Sequence, residues 1–307
     1  MSRIDEALRI SEEANGIVAS EVAAVQLGPF SPLSQYRRED SDRQAHDEPA
    51  ALRSAEPSEL FRPTSTARPF AMPELKLPED TNLQARLITA TSSAVSLEQY
   101  RRLGAVLHEA QAQNQSKTVM ITSALPHEGK TLTVVNLALT LSESYARRVL
   151  VIDADLRSPS LHTILDIPND RGLSEALQDG QHELPITEVS SRLSALTGGK
   201  PGPTPLAGLS SRRMAQVLEE CAARFDWVLI DTPPVGVLPD AQVLARLVGE
   251  VILVIRAGST PAAAIERAVA ELGGPDAISG TVLNRVEERR IPDAGYYSQY
   301  RKSRTNG

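Results

Sequence analysis

The stretch Thr122-Ser-Ala-Leu-Pro-His-Glu-Gly-Lys-Thr131 decides how this chain folds. A short apolar run, Thr118-Val-Met-Ile-Thr122, leads into it, and a second, Thr133-Val-Val-Asn-Leu-Ala-Leu139, leads away. Strand, glycine-bearing loop and helix in that order are the setting of a phosphate-binding loop. Such a loop turns backbone N–H groups toward phosphate oxygens at a helix N-terminus. Gly129 permits close backbone approach, Lys130 supplies a point charge for the β- and γ-phosphates, and the Thr131 hydroxyl is placed to ligate Mg²⁺. The motif's usual first glycine is replaced by Ala124. His127, inside the loop, reads as a solvent-facing residue.

Two further apolar runs end in acid: Val149-Leu-Val-Ile-Asp153-Ala-Asp155-Leu-Arg157 and Phe225-Asp-Trp-Val-Leu-Ile-Asp231-Thr-Pro-Pro234. The carboxyl ends of parallel strands line the ligand crevice of an open α/β sheet. Lys130 with Thr131, Asp153 with Asp155, and Asp231 are therefore expected to converge around an Mg-nucleotide. Mg²⁺ takes one or two carboxylates and fills its other positions with phosphate and water. Asp231 fits the residue that holds the metal, directly or through water, which leaves Asp153 to act on a nucleophile.

Outward from these motifs the chain keeps alternating. Further strands are predicted at Leu193 to Leu196, Val251 to Ile255 and Gly280 to Leu283. Helices are predicted at Val95 to Gln113, Lys130 to Tyr145, Leu173 to Leu177, Ser211 to Ala223, Ala241 to Leu247 and Pro261 to Leu272. Buried apolar strands between helices imply a parallel sheet covered on both faces. The expected fold is α/β, of the P-loop NTPase type, with a mostly parallel sheet and a disordered linker before it. Composition agrees, because four Phe, one Trp and six Tyr in 307 residues leave the core to Val, Leu, Ile and Ala.

The single cysteine, Cys221, excludes internal disulfides and any multi-cysteine metal site, and reads as a buried structural thiol. A net charge of −7 argues against nucleic acid as a partner. No run approaches the roughly 18 to 20 apolar residues of a membrane helix, and Met1-Ser-Arg-Ile-Asp-Glu6 has no apolar leader. A cytoplasmic protein is expected, with any membrane association supplied by a partner. Four regions follow. Residues 1–15 read as a short amphipathic helix, either a docking element or a frayed end. Residues 16–82 form a linker: eight of the 21 prolines lie between residues 28 and 80, and such composition buries too little apolar surface to offset its ordering entropy. Residues 83–290 form the nucleotide-binding domain, and residues 291–307 a flexible basic tail rich in Tyr.

At the three motifs, Ala124 to Thr131, Val149 to Arg157 and Val228 to Pro234, the sequence resembles the bacterial tyrosine kinases, specifically the soluble CpsD/CapB-type autokinases of exopolysaccharide synthesis. The resemblance spans about residues 90 to 300 and includes the terminal cluster Tyr296-Tyr297-Ser-Gln-Tyr300. It implies an ATP-dependent protein-tyrosine kinase that phosphorylates its own tail and regulates capsule or exopolysaccharide production and export. It implies nucleotide contacts from Ala124, Glu128, Gly129, Lys130, Thr131, Leu132 and Asn284, and metal binding by Thr131, Asp153 and Asp231. Catalysis would rest on Asp153, Lys130 and Asp155, and the phosphoacceptors would be Tyr296, Tyr297 and Tyr300. It further implies a membrane-anchored polysaccharide co-polymerase as activator, recruiting the protein to the inner face of the membrane. The family's Glu-x-x-Arg-x-x-Arg ring contact is kept only as Glu98 and Arg101, with Gly104 in the last place. This is either a subunit contact of a ring-like homo-oligomer or an ordinary exposed charge pair.

Charge supports the tail as substrate. Residues 285–307 carry a net +3 and the remainder −10, so the tail is drawn toward an acidic site. Three phosphotyrosines would add about −4.5 to −6 and reverse its sign. The competing reading is a non-kinase ATPase switch of the partition or division-site type. Those relatives carry an extra lysine early in the loop, which Ala124-Leu-Pro-His-Glu-Gly129 lacks.

Overall fold

The computed structural model describes residues 21–27, 87–88, 94–178 and 183–287. The expected N-terminal helix, most of the linker and the tyrosine-bearing tail lie outside the described residues. The strands are β1 (Glu21–Leu27), β2 (Thr118–Ser123), β3 (Val149–Asp153), β4 (Thr187–Glu188), β5 (Leu193–Leu196), β6 (Trp227–Asp231), β7 (Glu250–Arg256) and β8 (Gly280–Glu287). They form one sheet in the order β1-β8-β7-β2-β6-β3-β5-β4. The six inner strands run parallel, while β1 pairs antiparallel with β8 and β4 antiparallel with β5.

Period-two alternation sends each inner strand's side chains to two separate cores. Val119 and Ile121, Val149 and Val151, and Trp227 and Leu229 enter one core; Met120, Leu150, Ile152, Val228 and Ile230 enter the other. The first core is covered by α1 (Ala94–Asn114), α2 (Lys130–Glu143) and α3 (Leu161–Leu165). The second is covered by α4 (Leu173–Gln178), α5 (Pro205–Leu209), α6 (Arg212–Arg224), α7 (Asp240–Ala245) and α8 (Ala262–Glu271).

Helix α2 is buried along Thr133–Ser142, between the sheet and α1, and this depth fixes the loop that precedes it. Its hydroxyls return to its own backbone: Thr140 Oγ1 donates to Asn136 O at 2.8 Å and Ser142 Oγ to Leu139 O at 3.1 Å. A helix can be buried with polar residues only when such groups are satisfied. Helix α6 is amphipathic instead. Ser211 caps it by accepting from Met214 N, and Met214, Val217, Leu218 and Cys221 form its buried stripe. Burial pushes the Cys221 thiol up to about 12. Cys221 should therefore resist alkylation in the native protein at pH 8 and react stoichiometrically in denaturant; rapid native labelling would contradict the burial.

The predicted elements are present with ends moved by one to a few residues. One correction concerns Glu21–Leu27, placed above in the linker. It forms a seven-residue edge strand that covers the flank of β8. It is an apolar run without Pro or Gly, and pairing with β8 satisfies backbone groups that an open edge would leave exposed. Strand β8 extends to Glu287 rather than ending at Leu283, matching the length of its new neighbour. Helices α3 and α5 and strand β4 are too short for periodicity to reveal.

Candidate active site

Strands β2, β6 and β3 are neighbours, and their registers place Ile121 opposite Asp231 and Asp231 opposite Asp153. All three motifs thus end at one level of the sheet. Backbone and hydroxyl contacts tie them together. Thr122 Oγ1 donates to Pro233 O at 3.0 Å, Thr232 Oγ1 to Ile121 O at 3.0 Å, Val235 N to Ser123 O at 2.9 Å and Ala154 N to Asp231 O at 2.8 Å. Threonine in Asp-Thr-Pro-Pro is therefore a strap between strands.

The loop between β2 and α2 is shaped from within. Glu128 is buried, and its carboxylate accepts from Leu125 N at 2.8 Å and from the Thr260 hydroxyl. Burial pushes its pKa up, and these donors oppose the rise. Gly129 has φ +95°, and a Cβ there would lie 2.0 Å from Asn284 Nδ2. Only glycine fits both the left-handed backbone and the close approach of Asn284. Asn284 Nδ2 donates to Glu128 O at 2.8 Å, and its Oδ1 accepts from Arg285 N at 2.9 Å. Pro126 and His127 are exposed at the crest.

The carboxylates differ in how they are held. Asp153 Oδ2 accepts from Ser160 N at 2.9 Å and Leu161 N at 3.0 Å, and Oδ1 accepts from Asp155 N at 3.2 Å. Asp153 is thus a cap for α3 as well as a member of the site. Burial first, then the Asp231 charge, push its pKa up against those backbone donors. Asp155 Oδ1 accepts from Ser158 N at 3.1 Å, and Oδ2 lies 3.5 Å from Lys130 Nζ. Asp231 is fully buried, and neither carboxylate oxygen has a well-formed hydrogen bond. Burial pushes its pKa up, while the Lys130 charge and the Thr131 hydroxyl oppose the rise. Buried carboxylate oxygens held this weakly suit a cation.

Those oxygens and the Thr131 hydroxyl fit a Mg²⁺ ion. Among the described residues no three His, Cys, Asp or Glu side chains come together as a metal cage. That suits an ion completed by phosphate and water rather than by protein.

The structure brings Gly129, Lys130, Thr131, Asp153, Asp155, Asp231 and Asn284 together at the carboxyl ends of the strands. The Glu128 side chain turns into the protein, its carbonyl accepts from Asn284, and Leu132 packs partly against the core. Glu98 pairs with Arg102, four residues on, at 4.0 Å. Tyr296, Tyr297 and Tyr300 lie outside the described residues. Sequence reasoning missed Thr260, beneath Glu128, and Ser160, whose Oγ lies 3.4 Å from Thr131 Oγ1. It also missed Asp240, whose buried carboxylate meets Arg157 Nε at 2.8 Å. Thr260 follows the carboxyl end of β7, the other neighbour of β2, so the rule that found the acidic ends applies to it too.

The chain matches the model of the CobQ/CobB/MinD/ParA nucleotide binding domain over residues 119–299. It is 34% identical over 223 residues to the tyrosine-protein kinase YwqD of Bacillus subtilis, covering 71% of this chain and 93% of that one. It is 31% identical over 209 residues to the putative tyrosine-protein kinase CapB of Staphylococcus aureus, covering 66% of this chain and 89% of that one. Among solved structures, the kinase domain of Escherichia coli tyrosine kinase ETK superposes with a TM-score of 0.59 at 35% identity, over 64% of this chain and 78% of that one.

Proposed function

Because the chain belongs to the bacterial tyrosine-protein kinases and carries their nucleotide-binding fold, we propose that it transfers the ATP γ-phosphoryl group to Tyr296, Tyr297 and Tyr300 of its own tail. The observation that carries this reading is the group Lys130, Asp153, Asp155 and Asp231 at three adjacent strand ends. Lys130 pairs with Asp155 and its charge acts on Asp231, a balance suited to Mg-ATP and a neutral phenol.

Thr131 and Asp231 hold Mg²⁺ in this reading, with Asp153 beside them; the ion when bound neutralises charge on the β- and γ-phosphates. Gly129, Lys130 and the backbone of Ala124, Glu128 and Leu132 cradle the phosphates, and Asn284 keeps one amide N–H for the adenine. The phenolic oxygen forms a bond to Pγ as the bond from Pγ to the bridging oxygen breaks. ADP leaves with that electron pair, and Asp153 takes the phenolic proton.

Membrane recruitment is assigned in this reading to a membrane-anchored activator of polysaccharide export. Phosphorylation reverses the charge of the tail, expels it from the acidic site and loosens a homo-oligomer. Size measurements before and after Mg-ATP treatment test this, comparing wild type with the triple Tyr→Phe variant. The reading expects dissociation of wild type alone; identical behaviour of both contradicts it.

A further inference from the structure

The carboxyl-end rim has an apolar feature that nucleotide binding does not use. Among the described residues, Val237 is the one large hydrophobic side chain left well exposed, at 54%. It stands on a tight turn just after Asp231-Thr-Pro-Pro234. Val237 N and Leu238 N both donate to Pro234 O, at 3.2 and 3.3 Å. The turn is pinned to the first half of the phosphate loop. Val235 N donates to Ser123 O at 2.9 Å, and a Cβ at Gly236 would lie 2.7 Å from Ala124 O. Pro126 on the loop crest and Pro239 beyond the turn are exposed as well, and Leu125 and Leu238 are half-buried. Isolated exposed apolar residues are ordinary. This one belongs to a lip made of two segments held against each other, six residues from a carboxylate of the reaction centre.

We infer that Val237 and this lip form the docking platform for the aromatic ring of the acceptor tyrosine, making Val237 a specificity-determining residue. A phosphoryl acceptor must approach the γ-phosphate from outside the loop, and the turn follows the carboxyl end of β6, the level at which the three motifs end. The carboxylates repel acidic groups and offer a phenol ring no apolar surface. The lip supplies that surface beside them. Tyrosine ring burial against a valine and prolines would favour tyrosine over serine or threonine, which bring no ring to bury.

The inference rests on the tyrosine-kinase reading, so its test separates the two. The full chain with Tyr296, Tyr297 and Tyr300 changed to Phe serves as enzyme. The acceptors are a peptide of residues 291–307 and an unrelated tyrosine peptide, both given in trans with Mg-ATP. Val237→Ala should raise KM for both peptides by about 3- to 10-fold, because less apolar surface remains to cover the ring. Val237→Ser should raise it further, and Val237→Leu should leave it unchanged. The KM for ATP and the peptide-independent ATP hydrolysis should not move. An unchanged peptide KM in the Ala and Ser variants overturns the inference. So does a parallel loss of ATP affinity, which would make the turn a support for the phosphate loop. So does loss of activator stimulation with peptide KM intact, which would make the lip a partner contact. If only the unrelated peptide is phosphorylated and its KM follows Val237, the platform stands and the tail as substrate falls.

Discussion

Lys130→Met is expected to lower tyrosine phosphorylation by at least about 100-fold, the cost of removing one preorganised charge from a developing transition state. Lys130 Nζ lies 3.5 Å from Asp155 Oδ2, and its side chain is only 15% exposed. It pairs with Asp155, and its charge also opposes the rise in the Asp231 pKa. The substitution therefore also withdraws their counter-charge, and the folded state should lose about 1–3 kcal/mol. Activity and thermal unfolding, measured on the same preparation, check both halves. A variant that keeps more than a tenth of wild-type activity would place the γ-phosphate elsewhere.

Asp231→Asn moves stability the other way. Its carboxylate is buried with no well-formed hydrogen bond, and burial pushes its pKa up. The Lys130 charge and the Thr131 hydroxyl offset that burial only in part. Asparagine keeps the shape, removes the charge, and its amide can donate to the neighbouring carboxylates. The nucleotide-free protein should gain about 1–3 kcal/mol, read as a higher melting temperature. Phosphotransfer should fall by about 100-fold, with a higher Mg²⁺ concentration needed for half-maximal rate. Loss of activity together with gain of stability marks a residue held in strain for function. A stability loss would mean that Asp231 has a structural partner and that the metal lies elsewhere.

The two variants share an outcome for activity and differ in sign for stability because the site is a charge balance rather than a set of independent contacts. Asp153 also serves twice. The amide bonds it accepts from Ser160 and Leu161 anchor α3, so the residue proposed to take the phenolic proton also fixes the loop carrying Asp155. As sequence, such an aspartate reads either as a cap or as a member of the reaction centre; the geometry combines the two.

Much of this was legible because the decisive signals are local. Val149 to Asp153 and Trp227 to Asp231 are apolar runs ending in acid, and the crevice rule places such ends together whatever the strand order. The loop from Ala124 to Thr131 announces itself by Gly-Lys-Thr between strand and helix. What stayed hidden depends on pairing at a distance. Thr260 meets Glu128 across 132 positions of chain, and Asp240 meets Arg157 across 83. No periodicity encodes such meetings. Glu21–Leu27 was absorbed into the proline-rich stretch because a single strand has no meaning until its partner edge, here β8, is known. Val237 could not be singled out either, since Val235, Gly236, Val237 and Leu238 look alike as sequence and only folding decides which one is left in solvent.

The most direct measurement follows the γ-phosphoryl group itself. Wild-type chain is incubated with Mg²⁺ and γ-labelled ATP, with and without the cytoplasmic segment of the proposed activator, and label is divided between protein tyrosine and free phosphate. Label is expected on Tyr296, Tyr297 and Tyr300, absent without Mg²⁺ and absent in Lys130→Met. Release of all label as free phosphate, with no phosphotyrosine at any position, would contradict it and leave an ATPase switch in its place.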